Sequence, residues 1–341
     1  MTQQHPPLPR VRTLDVMPAQ TPVPETPPVA DPPEFPPGGL FVHPALFYAG
    51  EQEYLAGTVP FVEEGLRAGA PVAVSVPGPQ LAALRAAVGP AGERVTWLDM
   101  TREGRNPGRI IPGVLRAFAD RHAGAGRVHI IGEPIWPGRT ATEYPACAQH
   151  EALINLAFAG REVTILCPYD TVGLDPQVIA DARATHPEII DRDGTHASDG
   201  YAPARVVADQ NLPLPEPAGP AALMDFDRDA LPELRAFACR HAAGLGLPPR
   251  RVGELELAVN ELAANSVVHG GGTGRLRLWA ENGQVVCEVA DRGLIADPLA
   301  GRRPAAMSTN GGRGLLMVHH IADLVRMHTG PAGTVVRIFV S

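Results

Sequence analysis

Three polar side chains recur at every fourth residue of the segment NELAANSVVHGGGTG, residues 260–274. They are Glu261, Asn265 and His269, and three consecutive glycines follow them. Because residues four apart share one face of a helix, a carboxylate, an amide and an imidazole would project together. Another face of the same predicted helix carries an apolar row formed by Val252, Leu255, Val259 and Leu262. The polar row is therefore either a solvated surface or part of a site.

Two later motifs suit the base and the phosphates of a nucleotide. The sequence ADRG, residues 290–293, ends a predicted strand, and NGGRGLLM, residues 310–317, opens a predicted helix. The Asp291 carboxylate can accept a hydrogen bond from an exocyclic amine, the chemistry that selects adenine among purines. The backbone N–H groups of Gly311, Gly312 and Gly314 stand at a helix N-terminus, where the helix dipole favours phosphate.

Asn265 and Glu261 would complete a site for a magnesium–nucleotide complex. Mg²⁺ keeps several waters and takes only one or two protein oxygens, so the Asn265 amide oxygen is enough. Glu261, one turn earlier, can orient or deprotonate a nucleophile at the γ-phosphate. His269 at the helix end is more typical of a dipole partner than of a catalyst. Arg313 is either a surface arginine or a phosphate contact.

Composition excludes several classes of function. The 341 residues contain no lysine, which rules out a Walker A phosphate loop and a Schiff-base lysine. A formal net charge of -8 argues against a direct nucleic-acid partner. The four cysteines are scattered without a Cys-x-x-Cys pair, so the sequence indicates buried free thiols rather than a zinc site or a redox pair. No signal core or apolar stretch of about 20 residues occurs, which favours a cytoplasmic protein that makes no membrane contact.

Four regions follow one another along the chain. Residues 1–40 form a proline-rich tail that we predict to be disordered. Residues 41–200 alternate short apolar strands with helices, the pattern of an α/β domain with a mostly parallel sheet. Residues 201–220 form a predicted linker rich in Pro, Gly and Ala. Residues 221–341 contain the motifs described above, together with a predicted hairpin on an Asn-Gly turn.

The C-terminal half, about residues 221–341, resembles the GHKL ATPase superfamily, and within it the anti-sigma-factor serine kinases. NELAANSVVHG is similar to the N box, DRG to the first glycine box and GGRGL to the second. The resemblance implies a GHKL α/β sandwich, ATP and Mg²⁺ as ligands, and a lid over the nucleotide at about residues 294–310. Ile295 departs from the pattern, because many relatives carry a second glycine there. The implied site comprises Glu261 as the catalytic residue, Asn265 as the Mg²⁺ ligand, and Asp291, Gly293, Gly311, Gly312, Arg313, Gly314 and Leu315 as cofactor-binding residues.

The N-terminal half resembles the MEDS sensory domain of methanogen and methylotroph regulators. The segments that carry the resemblance are HPALFYAGEQEYLAG, GEPIWPGR, HEALINLAF, LCPYD and HPEI. The resemblance implies a RecA-like α/β core without a phosphate loop. Open parallel sheets bind ligands at strand ends and in the loops that follow them. Six candidate residues stand at such predicted positions: His43, Tyr48, Glu133, Trp136, Tyr169 and Asp170.

Together the two resemblances imply a signalling regulator of transcription. Its sensory domain would control an ATP-dependent kinase that phosphorylates serine or threonine on a STAS-type anti-sigma-factor antagonist, or that binds a sigma factor, with a homodimer possible. One alternative is a nucleotide-gated switch that binds its partner without phosphate transfer. Another is an orphan histidine-kinase catalytic module, which would require a phosphoacceptor. His150 lies in a predicted α/β domain rather than in a helical hairpin, which disfavours that role.

Overall fold

The computed structural model describes residues 39–304 and 313–341. The predicted disordered tail therefore falls almost wholly outside the described residues, as do Gly311, Gly312 and the end of the predicted lid. The described chain forms a seven-stranded sheet followed in sequence by a five-stranded sheet. Within these ranges, no helix combines the length and the apolar character that a membrane crossing requires.

The first sheet is parallel except at one edge, as the sequence predicts. Its strand order is β3-β2-β4-β5-β1-β6-β7, and only β6 and β7 pair antiparallel. The central strands are continuous apolar runs because helices cover both of their faces. The strands are β1 Pro44–Tyr48, β2 Val72–Val76, β3 Val95–Asp99, β4 Val128–Gly132, β5 Val163–Asp170, β6 Glu188–Asp191 and β7 Gly194–Ala197.

Seven α-helices accompany this sheet among the described residues. They are α1 Glu51–Arg67, α2 Gly78–Val88, α3 Met100–Glu103, α4 Ala117–Arg121, α5 Tyr144–Ala157, α6 Pro176–Thr185 and α7 Pro203–Asp209. A π-helical segment, Ile110–Arg116, precedes α4 and contains Pro112. Helix α5 is the most deeply buried of the set, with eleven buried residues out of fourteen.

The second sheet is antiparallel and carries its helices on one face. Its order is β11-β12-β10-β9-β8. The predicted hairpin is confirmed: Asn282 and Gly283 both take positive φ, 49° and 77°, as a two-residue turn between right-twisted strands requires. The elements are β8 Ala222–Asp227, α8 Leu231–Gly244, α9 Pro249–His269, β9 Thr273–Glu281, β10 Gln284–Asp291, α10 Gly314–Ile321, β11 Leu324–Gly330 and β12 Gly333–Val340.

Part of the predicted linker 201–220 is a helix. Helix α7 packs Pro203 and Val206 against the first domain, and Val206 joins Ala148 and Ala152 of α5 in one apolar cluster. A run of Pro, Gly and Ala later in the segment dominated the sequence pattern and concealed this short helix. The extended remainder continues as far as β8 and contacts the second sheet, where Arg337 donates to the Pro215 carbonyl at 2.7 Å.

The two domains share a packed interface. On the face of the second sheet opposite its helices, Trp279 and Phe339 pack with Ala146 of α5 in one buried cluster. Asn106 donates to the His319 carbonyl at 2.8 Å, and Arg326 donates to the Thr142 carbonyl at 2.7 Å. Hydrogen bonds and apolar contacts therefore join the domains at several separate points.

The loop after β10 takes part in the same interface. Leu299 belongs to the apolar core of the first domain, and Arg302 is 2% exposed. Gly301 approaches α10 so closely that a Cβ there would lie 2.6 Å from Leu315 Cβ and 3.1 Å from His319 Cδ2. The loop is thus held between the first domain and α10.

We predict that Gly108→Ala destabilises the protein by about 1–3 kcal/mol, the usual cost of overpacking. A Cβ on Gly108 would overlap the buried ring of His319 across the interface. Guanidinium unfolding of the full chain measures the effect. Gly113→Ala is the control, since a Cβ there meets nothing within 4 Å. Equal midpoints for the two variants would contradict this account of the interface.

Candidate functional site

Asp291 organises the end of β10 through both of its carboxylate oxygens. Ser266 of α9 donates to Oδ2 at 2.6 Å, and the Gly293 N–H donates to Oδ1 at 2.8 Å. Gly270 is required beside it, because a Cβ at that position would lie 2.6 Å from Oδ1. The carboxylate is consequently fixed in direction before any ligand binds. Specific recognition of a nucleobase requires a hydrogen-bonding group fixed in this way.

The N-terminus of α10 lies directly against the polar row of α9. A Cβ added to Gly314 would stand 2.6 Å from Glu261 Oε2 and 3.6 Å from Asn265 Nδ2. Gly314 therefore allows the first backbone amides of α10 to approach the carboxylate and amide of α9. The apolar row of α9 is buried as predicted, with Leu255, Val259 and Leu262 in the core.

A cavity of about 570 Å³ lies between these groups. It is lined by residues from α9, from the end of β10, from the loop at 293–304, from the start of α10 and from β12. Its wall combines apolar side chains, such as Leu262 and Val336, with a few fixed polar groups. That combination is typical of a site for a small molecule or cofactor.

The structure brings most of the predicted site residues to this cavity. Those that line it are Asn265, Asp291, Gly293, Gly314 and Leu315, together with His269. Glu261 stands one turn behind Asn265, next to Gly314. Arg313 is exposed and precedes α10. Gly311 and Gly312 lie outside the described residues.

Sequence reasoning missed two hydroxyl groups of the site. Ser266 holds Asp291, and Thr334 lies opposite Asp291 in the β10–β12 register and donates to the Gly293 carbonyl at 2.8 Å. Ser266 follows Asn265 directly, so its position next to the polar row was the available signal. Thr334 gave no local signal because strand pairing across 43 residues brings it to the site.

The predicted lid at 294–310 is anchored in the part that the structure describes. Residues 294–304 have no regular secondary structure, yet Leu299 and Arg302 are buried. The Ile295 N–H donates to Thr329 Oγ1 at 3.1 Å, which ties the loop to β11. The loop therefore lines the cavity on one side and contacts the first domain on the other.

The six candidate residues of the first domain divide into separate groups. Tyr48, Glu133 and Asp170 lie together at the carboxyl ends of β1, β4 and β5, and Tyr48 donates to Glu133 Oε1 at 3.4 Å. Burial raises the pKa of the Glu133 carboxyl well above its usual range, and Oε2 has no hydrogen-bond partner. Trp136 instead stacks on the Arg139 guanidinium at 3.9 Å.

His43 belongs to a second group that the sequence did not reveal. It lies with Glu151, Cys167 and His186 in the interior, and one ligand atom from each falls within 4.8 Å of all the others. The scattered cysteines had predicted buried free thiols without a metal site. Cys167 is a free, buried thiol, as predicted, and it lies beside three other potential metal ligands.

Comparisons with known proteins agree with the architecture of both halves. Residues 42–187 match the family model described as MEDS, the methanogen/methylotroph, DcmR sensory domain, and residues 224–340 match that of the histidine kinase-like ATPase domain. Among curated proteins, none matches the chain. One similar solved structure is the crystal structure of the RsbU and RsbW domains of Rv1364c from Mycobacterium tuberculosis, at 21% identity and a TM-score of 0.28, over 36% of this chain and 32% of that one. The chain thus carries a MEDS domain followed by a histidine kinase-like ATPase domain.

Proposed function

We propose that the protein is an ATP- and Mg²⁺-dependent serine/threonine protein kinase under the control of its MEDS domain. Its substrate would be a STAS-type anti-sigma-factor antagonist, and its second partner a sigma factor that it binds as an anti-sigma factor. The observation that carries the proposal is the convergence of Asp291, Asn265 and the N-terminus of α10 on one cavity.

Each of these groups meets a different part of the nucleotide. Asp291, with both oxygens held by Ser266 and Gly293, would accept a hydrogen bond from the adenine amine. The backbone amides that begin at Gly314 would bind phosphate oxygens, supported by the helix dipole. Asn265 supplies an amide oxygen, the kind of ligand Mg²⁺ takes when phosphates and waters complete its shell.

Phosphoryl transfer depends mainly on positioning and on neutralising charge, which this arrangement is suited to provide. Glu261 stands within one turn of the metal-binding amide and against the start of α10. From that position its carboxylate would orient the acceptor hydroxyl and take its proton late in transfer.

A non-catalytic, nucleotide-gated binding module is the second candidate. The observation that favours it is the anchored loop, in which the Ile295 N–H is hydrogen-bonded to Thr329 and Arg302 is buried. A loop held in this way would not close over a reacting phosphate. Nucleotide binding would instead change the surface that the loop presents to a partner protein. An orphan histidine-kinase module is disfavoured, because His150 is buried in α5 and inaccessible to a phosphoryl donor.

The decisive experiment is incubation of the full chain with γ-labelled ATP, Mg²⁺ and candidate antagonist proteins, followed by acid and by alkali. Label on serine or threonine survives acid, whereas phosphohistidine does not. Acid-stable label on an antagonist supports the kinase. A protein that binds ATP and a sigma factor but labels no antagonist would establish the second candidate instead.

We predict that Asn265→Ala and Asp291→Asn both weaken ATP binding but differ in their dependence on metal. Loss of Asn265 removes a metal ligand, so its effect on Kd should largely vanish without Mg²⁺. Loss of the Asp291 charge weakens the hydrogen bond to the adenine amine. Its effect on Kd should therefore persist without metal, and it should be smaller for GTP than for ATP. Calorimetry on the full chain measures each Kd.

Asn260→Ala is a matched control on the same helix, because Asn260 accepts from Arg235 outside the cavity at 2.9 Å. It should leave ATP affinity unchanged. Identical metal dependence in the Asn265 and Asp291 variants would refute the separate roles assigned to them.

We predict that Glu261→Gln lowers the phosphotransfer rate at least about a hundredfold and leaves ATP affinity within a few-fold. Glutamine keeps the shape and the hydrogen-bonding capacity but removes the base. Single-turnover transfer to the antagonist measures the rate. Glu256→Gln, on the same helix beside Cys239, is the control. Equal rates for the two variants would remove Glu261 from the mechanism.

We predict that Arg302→Ala weakens ATP binding about fivefold, equivalent to roughly 1 kcal/mol. The side chain is buried where the cavity loop meets the MEDS domain. Truncation relieves a buried charge but also removes the packing of the long side chain, and the second effect leaves the loop to be ordered by the nucleotide. Arg326→Ala is the control, since Arg326 contacts Thr142 across the same interface but lies outside the cavity. An equal change in both variants would show that the loop has no special role.

A further inference from the structure

Four potential metal ligands meet in the interior of the MEDS domain. His43 precedes β1, Glu151 lies on α5, Cys167 lies on β5, and His186 follows α6. All four are at most 1% exposed. Three of the donor-to-donor separations are 3.4 Å from His43 Nε2 to Cys167 Sγ, 3.6 Å from His43 Nε2 to Glu151 Oε2, and 3.2 Å from His186 Nε2 to Glu151 Oε2.

The hydrogen bonds of Asn155 fix the tautomer of His43. The Asn155 amide nitrogen donates to the carbonyls of Thr185 at 2.8 Å and Ala152 at 3.2 Å. Its oxygen is therefore the atom that faces His43 Nδ1, 3.1 Å away, and the imidazole must donate there. His43 Nε2 is left as an acceptor directed at the cluster, 3.4 Å from the Cys167 thiol.

His186 is held in the same way. Its Nδ1 lies 2.8 Å from the Ala182 carbonyl, which can only accept, so Nδ1 carries the proton. His186 Nε2 has no hydrogen-bond partner and faces the Glu151 carboxylate. Metal-ligating histidines are commonly oriented in this way, by an oxygen that accepts a hydrogen bond from the ring nitrogen that does not bind the metal.

The charges in the cluster leave electron donors facing one another. Because Nδ1 carries the proton in both rings, each Nε2 is an acceptor, and both face Oε2 of the Glu151 carboxylate. Neither Glu151 oxygen has a hydrogen-bond partner. The Cys167 thiol can donate to only one of these acceptors, so the remaining ones repel one another unless a cation lies between them.

We propose that His43, Glu151, Cys167 and His186 bind one divalent transition-metal ion, Zn²⁺ by preference, at the centre of the MEDS domain. Two imidazole nitrogens, a thiolate and a carboxylate form a ligand set that suits tetrahedral Zn²⁺. Metal–ligand bonds of about 2.0–2.3 Å would place tetrahedral ligands about 3.3–3.8 Å apart. The three separations given above, 3.2 to 3.6 Å, come close to that range.

Binding would release one proton and leave a neutral site. An ordinary cysteine thiol is protonated at neutral pH, and only the thiolate is a metal ligand. The metal displaces that proton to solvent and forms the metal–sulfur bond with the thiolate. One thiolate, one carboxylate and two neutral imidazoles then balance a charge of +2, which a buried site requires.

A cleft of about 270 Å³ leads towards the site. His43 and Asn155 form part of its wall, together with Glu188 and Tyr201 at its polar side. The cleft therefore reaches His43, at the edge of the ligand cluster.

The test uses the full chain, stripped by a chelator and titrated with Co²⁺ and with Zn²⁺. We expect one equivalent of Co²⁺ to bind with a thiolate-to-cobalt charge-transfer band and tetrahedral visible bands, and Zn²⁺ to displace it. About one proton should be released per metal, so that affinity rises about tenfold per pH unit below the thiol pKa. Wild-type protein that binds neither ion stoichiometrically would overturn the proposal by itself.

Two variants separate the site from the fold. Cys167→Ala should abolish the charge-transfer band and weaken Co²⁺ binding at least about a hundredfold, and His43→Gln should weaken it while keeping the band. Cys147→Ala is the matched control, because Cys147 is equally buried on α5 but lies outside the cluster. A charge-transfer band that survives in Cys167→Ala and disappears in Cys147→Ala would overturn the assignment of the ligands.

Discussion

A buried guanidinium constrains how the two domains can meet. Burial lowers the pKa of Arg302 to about 10, so the side chain remains charged at physiological pH. Among the residues that the structure describes, the ionisable groups that interact with it, Cys147, His150 and His319, are all kept neutral by burial. A buried cation without a countercharge costs free energy, and apolar packing around Leu299 and across the interface must offset that cost. The docked loop is therefore a contact of modest net stability, suited to being shifted.

Helix α5 connects that contact to the interior of the MEDS domain. Cys147 and Glu151 stand one turn apart on this helix, the first beside Arg302 and the second in the buried ligand cluster. Ala146 of the same helix packs against the outer face of the ATPase sheet. Because packed interiors move as units, any displacement of α5 at Glu151 is transmitted to the interface.

Local motifs and long-range assembly explain what the sequence could and could not predict. The position of Asp291 and Asn265 at one cavity was predictable, because each stands in a short pattern whose spacing implies its geometry. Thr334 and the quartet around His43 were not, since their members lie far apart in the chain and only strand order brings them together. Arg302 resembled an ordinary loop arginine, because burial by a second domain leaves no mark on neighbouring residues.

Coupling between the domains has a thermodynamic consequence for any ligand of the MEDS domain. The loop 294–304 lines the cavity proposed to bind the nucleotide and is anchored in the first domain, so its docked and released states would bind ATP with different affinities. A ligand that favours one state changes the affinity of the protein for ATP by some factor. ATP must then change the affinity of the protein for that ligand by the same factor. Coupling of about 1–3 kcal/mol corresponds to roughly 5- to 150-fold. Because the buried cation of this interface is poorly compensated, a ligand with a modest difference in affinity for the docked and released states could shift the balance between them. A well-compensated interface would require a larger difference in affinity.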